Sequence, residues 1–177
     1  MRYTQVYFMR MKNEVLFKLQ AFISAYKHHS RVHMLKSNHG GKYISDVTQE
    51  WLSRHRIKHV MAPTYSPEHN GIAERFNHTI MNMVQSMLMD AELSNKFWAE
   101  ALNTAVYIHN RVPSKSVDNQ APYERLHGHA LDILKLQPFG CHAFILTPAQ
   151  LRNKLQPRSR DVIYLGPSVK GTHHRLW

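Results

Sequence analysis

The sequence predicts an α/β fold followed by a smaller β unit, and three observations predict it. Short runs of β-forming residues alternate with apolar positions at helical spacing over the first hundred residues. Breaks marked by Gly, Pro, Asn or Ser fall between those runs. After about residue 137 the texture changes to strands separated by a basic stretch.

Each element has its own signal. Tyr3 to Met9 alternates and carries Val6, Tyr7 and Phe8, which predicts a strand. Asn13 opens a helix with Val15, Leu16, Leu19, Phe22, Ile23 and Tyr26 on its apolar stripe. Val32 to Leu35 is a short strand, ending at Lys36-Ser37-Asn38-His39-Gly40-Gly41, where the glycine pair permits a sharp turn just past a strand end. A helix follows Ser45, with Val47, Trp51 and Leu52 on one face, and Lys58 to Ala62 is another strand. Pro63 to Asn70 is a loop with two prolines and an Asn-Gly signal. The longest helix starts there; Ile72, Phe76, Ile80, Val84, Met87, Leu88 and Ala91 recur at its period, and the methionine face (Met83, Met87 and the alternating Met81, Met89) is assigned to core packing. A further helix runs from about Asn95 to Arg111 and stops before Pro113. The polar stretch Ser114–Gln120 reads as a linker, and Pro122–His127 as a short helix. His142–Thr147 and Asp161–Leu165 are strands, and Arg175-Leu176-Trp177 begins a third. The expected division is 1–113, an α/β core; 114–136, linker and short helix; and 137–177, a small β unit.

Composition bounds the function. The chain has 177 residues, of which 43% are hydrophobic and 20% charged, so a packed domain is expected rather than a disordered tail. No apolar run approaches the ~20 residues that span a bilayer, and the first five residues lack an apolar signal core, so neither membrane insertion nor secretion is expected. The single cysteine, Cys141, excludes an internal disulfide framework and any zinc site built on two thiolates. The 14 histidines are scattered and form no tight ligand cluster in the sequence. Lys and Arg number 23 against 12 acids, a net charge of +11, which points to a polyanionic partner.

The candidate site rests on position 38, at a strand end, and Glu74, in the first turn of the long helix, with 35 residues between them. Carboxylates at two such positions, with a third from an earlier strand, could hold two divalent cations for in-line phosphoryl transfer. Position 38, however, is an amide, Asn38. A carboxylate in a first helical turn is also favoured by the helix dipole, so Glu74 has a structural reading beside the catalytic one. Arg75, His78 and Lys96 are candidate phosphate contacts, and Arg152, Lys154, Arg158 and Arg160 are the stronger ones, four cations within nine residues.

These segments carry a resemblance. Leu35 to Tyr43, Tyr65-Ser66-Pro67-Glu68-His69-Asn70-Gly71-Ile72-Ala73-Glu74-Arg75, Phe97-Trp98-Ala99-Glu100-Ala101, Asn110-Arg111-Val112-Pro113-Ser114-Lys115, Phe139-Gly140-Cys141 and Tyr164-Leu165-Gly166 resemble, in order and spacing, motifs of copia-type retrotransposon integrases. The resemblance implies a ribonuclease-H-like integrase core, here truncated at its N-terminus, followed by a Src-homology-3-like β unit. It also implies DNA integration through an Asp-Asp-Glu set holding Mg2+ or Mn2+, DNA (cDNA ends and target) as partner, oligomers in the family, and a nuclear location. Set against the family pattern, the first aspartate would precede Met1, the second position holds Asn38, Lys42 replaces an acid, and Glu74 alone survives. The expectation is therefore a catalytically inactive core fragment with no functional metal or cofactor of its own, since an amide brings no negative charge to offset two divalent cations. The alternative is a non-enzymatic, basic nucleic-acid-binding module. A third reading is a decayed product that folds poorly, with Val6 and Phe8 on an exposed sheet edge.

Overall fold

A computed structural model of the chain describes residues 2–29, 31–38, 41–62, 71–129, 136–168 and 173–177. The chain forms two compact units, one of residues 5–78 and one of residues 79–177 with residues 1–4.

In the first unit a 3-10 turn at Lys12–Glu14 leads into α1 (Val15–Tyr26). Glu14 Oε1 accepts from the backbone N–H groups of Arg10 and Met11, at 3.1 and 3.0 Å, which fixes the entry to the helix. Strands β1 (Met34–Ser37) and β2 (Lys58–Met61) pair in parallel, from Met34 opposite Lys58 to Ser37 opposite Met61. The connection between them holds α2 (Gly41–Ile44) and α3 (Asp46–Arg54), the helical crossover that a parallel pair requires. Ser45 caps α3, its carbonyl accepting from Thr48 and Gln49 N–H. Among the described residues, Val15, Leu52 and Ile57 are the buried apolar side chains of this unit.

In the second unit α4 (Gly71–Asp90), whose first eight residues belong to the first unit, buries Ile80, Val84 and Leu88 at a spacing of four. A 3-10 turn at Asn95–Phe97 opens α5 (Trp98–His109), which buries Ala101, Thr104, Ala105 and Val106. Helix α6 (Pro122–His127) has Pro at its first position and ends at Gly128 with φ 78°, the proline-in, glycine-out pattern of helix ends. Strands β3 (His142–Leu146), β4 (Ser159–Pro167) and β5 (His174–Leu176) form an antiparallel meander in that order. Two glycines let this meander approach the helices. Gly166, at φ 99°, leaves 2.0 Å between the place of a Cβ and Thr104 Oγ1, and Gly140, at φ 81°, leaves 2.2 Å to the Ala91 side chain.

The helical assignments hold closely, but three strand and core expectations need correction. Tyr3 to Met9 is not a strand. Thr4 instead exchanges hydrogen bonds with the Asn110 side chain (N–H to Oδ1 2.9 Å, Nδ2 to the Thr4 carbonyl 2.7 Å), so an amide does what a neighbouring strand would have done. The strand expected at Val32–Leu35 lies two residues further on, because the pairing register with β2 runs to Ser37 and continues with Ala62 N–H donating to the Ser37 carbonyl. On α4 the core stripe is aliphatic; Met83 and Met87 are half-buried, whereas Met81 and Met89 are exposed. Between the ends of the polar stretch 114–120, Ser114 bridges Gln120 and Val117 is buried. The expected loop Pro63–Asn70 lies outside the described residues, as do His39 and Gly40.

Candidate functional site

Asn38 follows the last residue of β1 and lines an open cleft of about 720 Å³ together with Lys12, Ser45 and Thr48, over an apolar floor that includes Val15 and Leu16. A chain of hydrogen bonds sets the end of the strand. The Gln49 amide Nε2 donates to His59 Nδ1 (2.8 Å), leaving the proton of the ring on Nε2, which faces Ser37 Oγ at 2.8 Å; the hydroxyl in turn donates to the Asn38 carbonyl at 3.0 Å. Gln49 also donates to the Tyr43 carbonyl at 2.6 Å, which ties α3 to α2. Position 38 is thus held by buried Ser37 and by a histidine from the adjacent strand.

Glu74 lies in the first turn of α4 with an exposed side chain and is not among the residues lining that cleft. Arg75 folds back toward the backbone of Gly71, and it and His78 are exposed on the same helix. Glu68 is outside the described residues, and so is the side chain of Lys42. A pair of divalent cations needs several hard anionic oxygens. Among the described residues, the lining of the cleft offers two amides (Asn13 and Asn38), hydroxyls and the ammonium of Lys12, and no carboxylate. That donor set does not fit Mg2+ or Mn2+ in pairs. Among the described residues, no three His, Cys, Asp or Glu side chains come together as a metal site.

The remaining basic candidates separate into two kinds. Lys96 Nζ sits 5.0 Å from the centre of the Phe97 ring and 4.6 Å from that of Trp177, in an edge-packed aromatic pair, so its charge is engaged by ring faces. Arg152, Lys154 and Arg158 lie on the connection from β3 to β4, and Arg160 lies in β4 opposite Ile145. All but half-buried Arg152 are exposed.

Two other arginines, not singled out by the sequence, are structural. Arg175 pairs with Glu100 and donates to Thr104 Oγ1 and to the carbonyls of Leu165 and Pro167 at 3.0–3.1 Å, joining β5 and β4 to α5. Arg111 lies between the rings of Tyr107 and Tyr123, 3.3 and 4.3 Å from their centres, and donates to the Tyr107 carbonyl at 3.0 Å. Burial pulls both guanidinium groups below their usual range, opposed by Glu100 in the first case. Tyr107, four positions before Arg111, was a cue in the sequence, whereas Tyr123, twelve positions after it, was none.

Parallel strands, the β–α–β crossover and a long helix after them define the class: this is the fold of a retroviral integrase catalytic core. The chain is similar to the catalytic core domain of BIV integrase (TM-score 0.50, 19% identity, 69% of this chain and 74% of that one). It is similar also to a chain of the simian T-cell lymphotropic virus intasome in complex with PP2A regulatory subunit B56 gamma (TM-score 0.54, 17% identity, 95% and 62%). A structure of the HTLV-2 integrase catalytic core domain in complex with magnesium is similar at TM-score 0.47 and 21% identity, over 63% of this chain and 68% of that one.

Sequence relatives narrow the class. The chain is 35% identical over 174 residues to the retrovirus-related Pol polyprotein from transposon TNT 1-94 of Nicotiana tabacum, covering 97% of this chain and 13% of the relative. It is 32% identical over 170 residues to that from transposon RE2 of Arabidopsis thaliana, covering 95% and 12%. The chain is thus homologous to one segment of the Pol polyproteins of plant copia-type retrotransposons and spans about an eighth of the length of those relatives. No protein-family model matches it. Among the described residues no helix is long and apolar enough to cross a membrane.

Proposed function

We propose that this chain is a nucleic-acid-binding integrase-core fragment that does not itself carry out strand transfer. One observation carries the reading: the cleft at the end of β1, where the family role calls for metal-bound carboxylates, is lined by Asn38 and Lys12. A neutral amide beside an ammonium group repels rather than gathers divalent cations, so the charge that would stabilise a pentavalent phosphate is missing. The inherited role is DNA integration in the nucleus; what remains is contact with DNA, through Arg75, His78 and the cations Arg152, Lys154, Arg158 and Arg160. In this reading residues 1–113 derive from the core, 114–136 connect, and 137–177 derive from the Src-homology-3-like unit.

The test is a strand-transfer assay of the purified chain with labelled duplex ends and either Mg2+ or Mn2+. No joined product is expected, from the chain or from Glu74→Gln. Joining by the unaltered chain that disappears in Glu74→Gln would overturn the reading.

A further inference from the structure

A second cleft lies at the other end of the parallel strands. Because β1 and β2 run in the same direction, the segments that lead into them converge. Lys27 and Arg31 precede β1, and Arg54, His55 and Arg56 precede β2. These five residues line an open cleft of about 460 Å³, with Ile23, Val32 and buried Ile57 beneath them. Asn38 stands at the carboxyl end of β1, roughly 10 Å away along a strand of this length, so this cleft is distinct from the one that Asn38 lines.

The charge here is in surplus. Arg54 pairs with Glu50 at 2.6 Å, and both side chains are exposed. Among the described residues Lys27, Arg31 and Arg56 make no ion pair. The carboxyl ends of α1 and α3 point to this region and favour cations, but each supplies only about half a negative charge. Four full positive charges exceed Glu50 and two helix ends together. The His55 ring stacks on Trp51 with centroids 4.1 Å apart, and its Nδ1 donates to the Trp51 carbonyl at 2.9 Å, which holds the ring in place. Arg56, moreover, holds a left-handed backbone (φ 55°), a conformation that a non-glycine residue adopts at some cost.

We propose that this cleft binds the sugar-phosphate backbone of a nucleic-acid strand. Guanidinium forks suit phosphate oxygens, an apolar floor suits the sugar, and the volume exceeds what one inorganic anion would fill. The proposal rests on the reading that the chain binds nucleic acid and adds a surface that its linear sequence does not display.

Fluorescence anisotropy of a labelled duplex of arbitrary sequence, titrated with the full chain at several salt concentrations, tests it. Lys27→Gln/Arg31→Gln/Arg56→Gln is compared with wild type and with Lys154→Gln/Arg158→Gln/Arg160→Gln. Each lost phosphate contact lowers the slope of log K against log salt by about 0.9. The cleft variant should lose roughly two to three units of slope and bind about a hundredfold more weakly at 0.1 M salt. The charge-keeping variant Lys27→Arg/Arg31→Lys/Arg56→Lys should retain the slope. All three positions are exposed, so folding should survive; if the triple variant does not fold, Arg31→Gln alone carries the test through a slope change of about 0.9. A cleft variant with wild-type affinity and slope, while the 154–160 variant is weakened, overturns the inference and leaves the nucleic-acid reading standing. Wild type that fails to bind at low salt overturns that reading itself. Displacement of the duplex by an equal charge of poly-glutamate, lost in the cleft variant, assigns the cleft to an acidic protein partner and overturns the choice of nucleic acid.

Discussion

The two compact units differ in how they are held. Residues 79–177 carry a continuous apolar interior, from Ile80, Val84 and Leu88 on α4 through Ala101, Ala105 and Val106 on α5 to Tyr164 and Leu165 on β4. Among the described residues, 5–78 bury fewer large groups, chiefly Val15, Leu52 and Ile57, beside the Gln49–His59–Ser37 hydrogen bonds and a two-stranded sheet. Buried apolar groups are concentrated in one unit, while both clefts, Asn38 and Glu74 sit in the other.

The largest effect expected of this contrast is at Gly166. Gly166→Ala puts a Cβ against Thr104 at a positive φ, and overpacking plus backbone strain should cost about 3 kcal/mol. Urea unfolding should show the midpoint falling; an unchanged midpoint would mean that β4 and α5 are not packed as described. Leu52→Ala should cost about 2–4 kcal/mol, but hydrogen exchange should then quicken across residues 5–78 and leave the α5 amides protected. Uniform acceleration would erase the distinction between the units. Asn110→Ala removes both hydrogen bonds to Thr4 and should cost about 1–2 kcal/mol, read as a lower melting temperature.

The smallest effect is at half-buried His109, whose pKa burial pushes down. Its folded value lies below the unfolded value of about 6.5. Its contribution to stability is therefore complete above that pH and is lost as pH falls through the lowered value. His109→Gln should flatten the decline in melting temperature below about pH 6.5; an identical decline would assign it to other groups.

The helices were legible because their apolar residues repeat at 3.6 and their ends carry Ser45, Pro122 and Gly128. The places of Asn38 just past a strand and of Glu74 in a first helical turn were legible from the turn signals around them. Tyr3–Met9 was misread because alternation shows that a segment can pair, not that a partner strand is present; a side-chain amide took that role at Thr4. The basic cleft was invisible because Lys27 and Arg31 are more than twenty residues from Arg54 and Arg56, and only parallel pairing brings the two groups together. Nothing in the sequence places Trp177 beside Lys96.

The bond between Thr4 and Asn110 has a mechanical consequence. Residues 1–4 belong to the same body as residues 79–177, and Tyr3 lies against Tyr123 and His127 there. The intervening stretch therefore leaves that unit and returns to it. Tension applied to the amino terminus would meet the Thr4–Asn110 clamp before it reached β1. Until the clamp gave way, a transiently opened 5–78 segment would stay short on freedom and close to refolding.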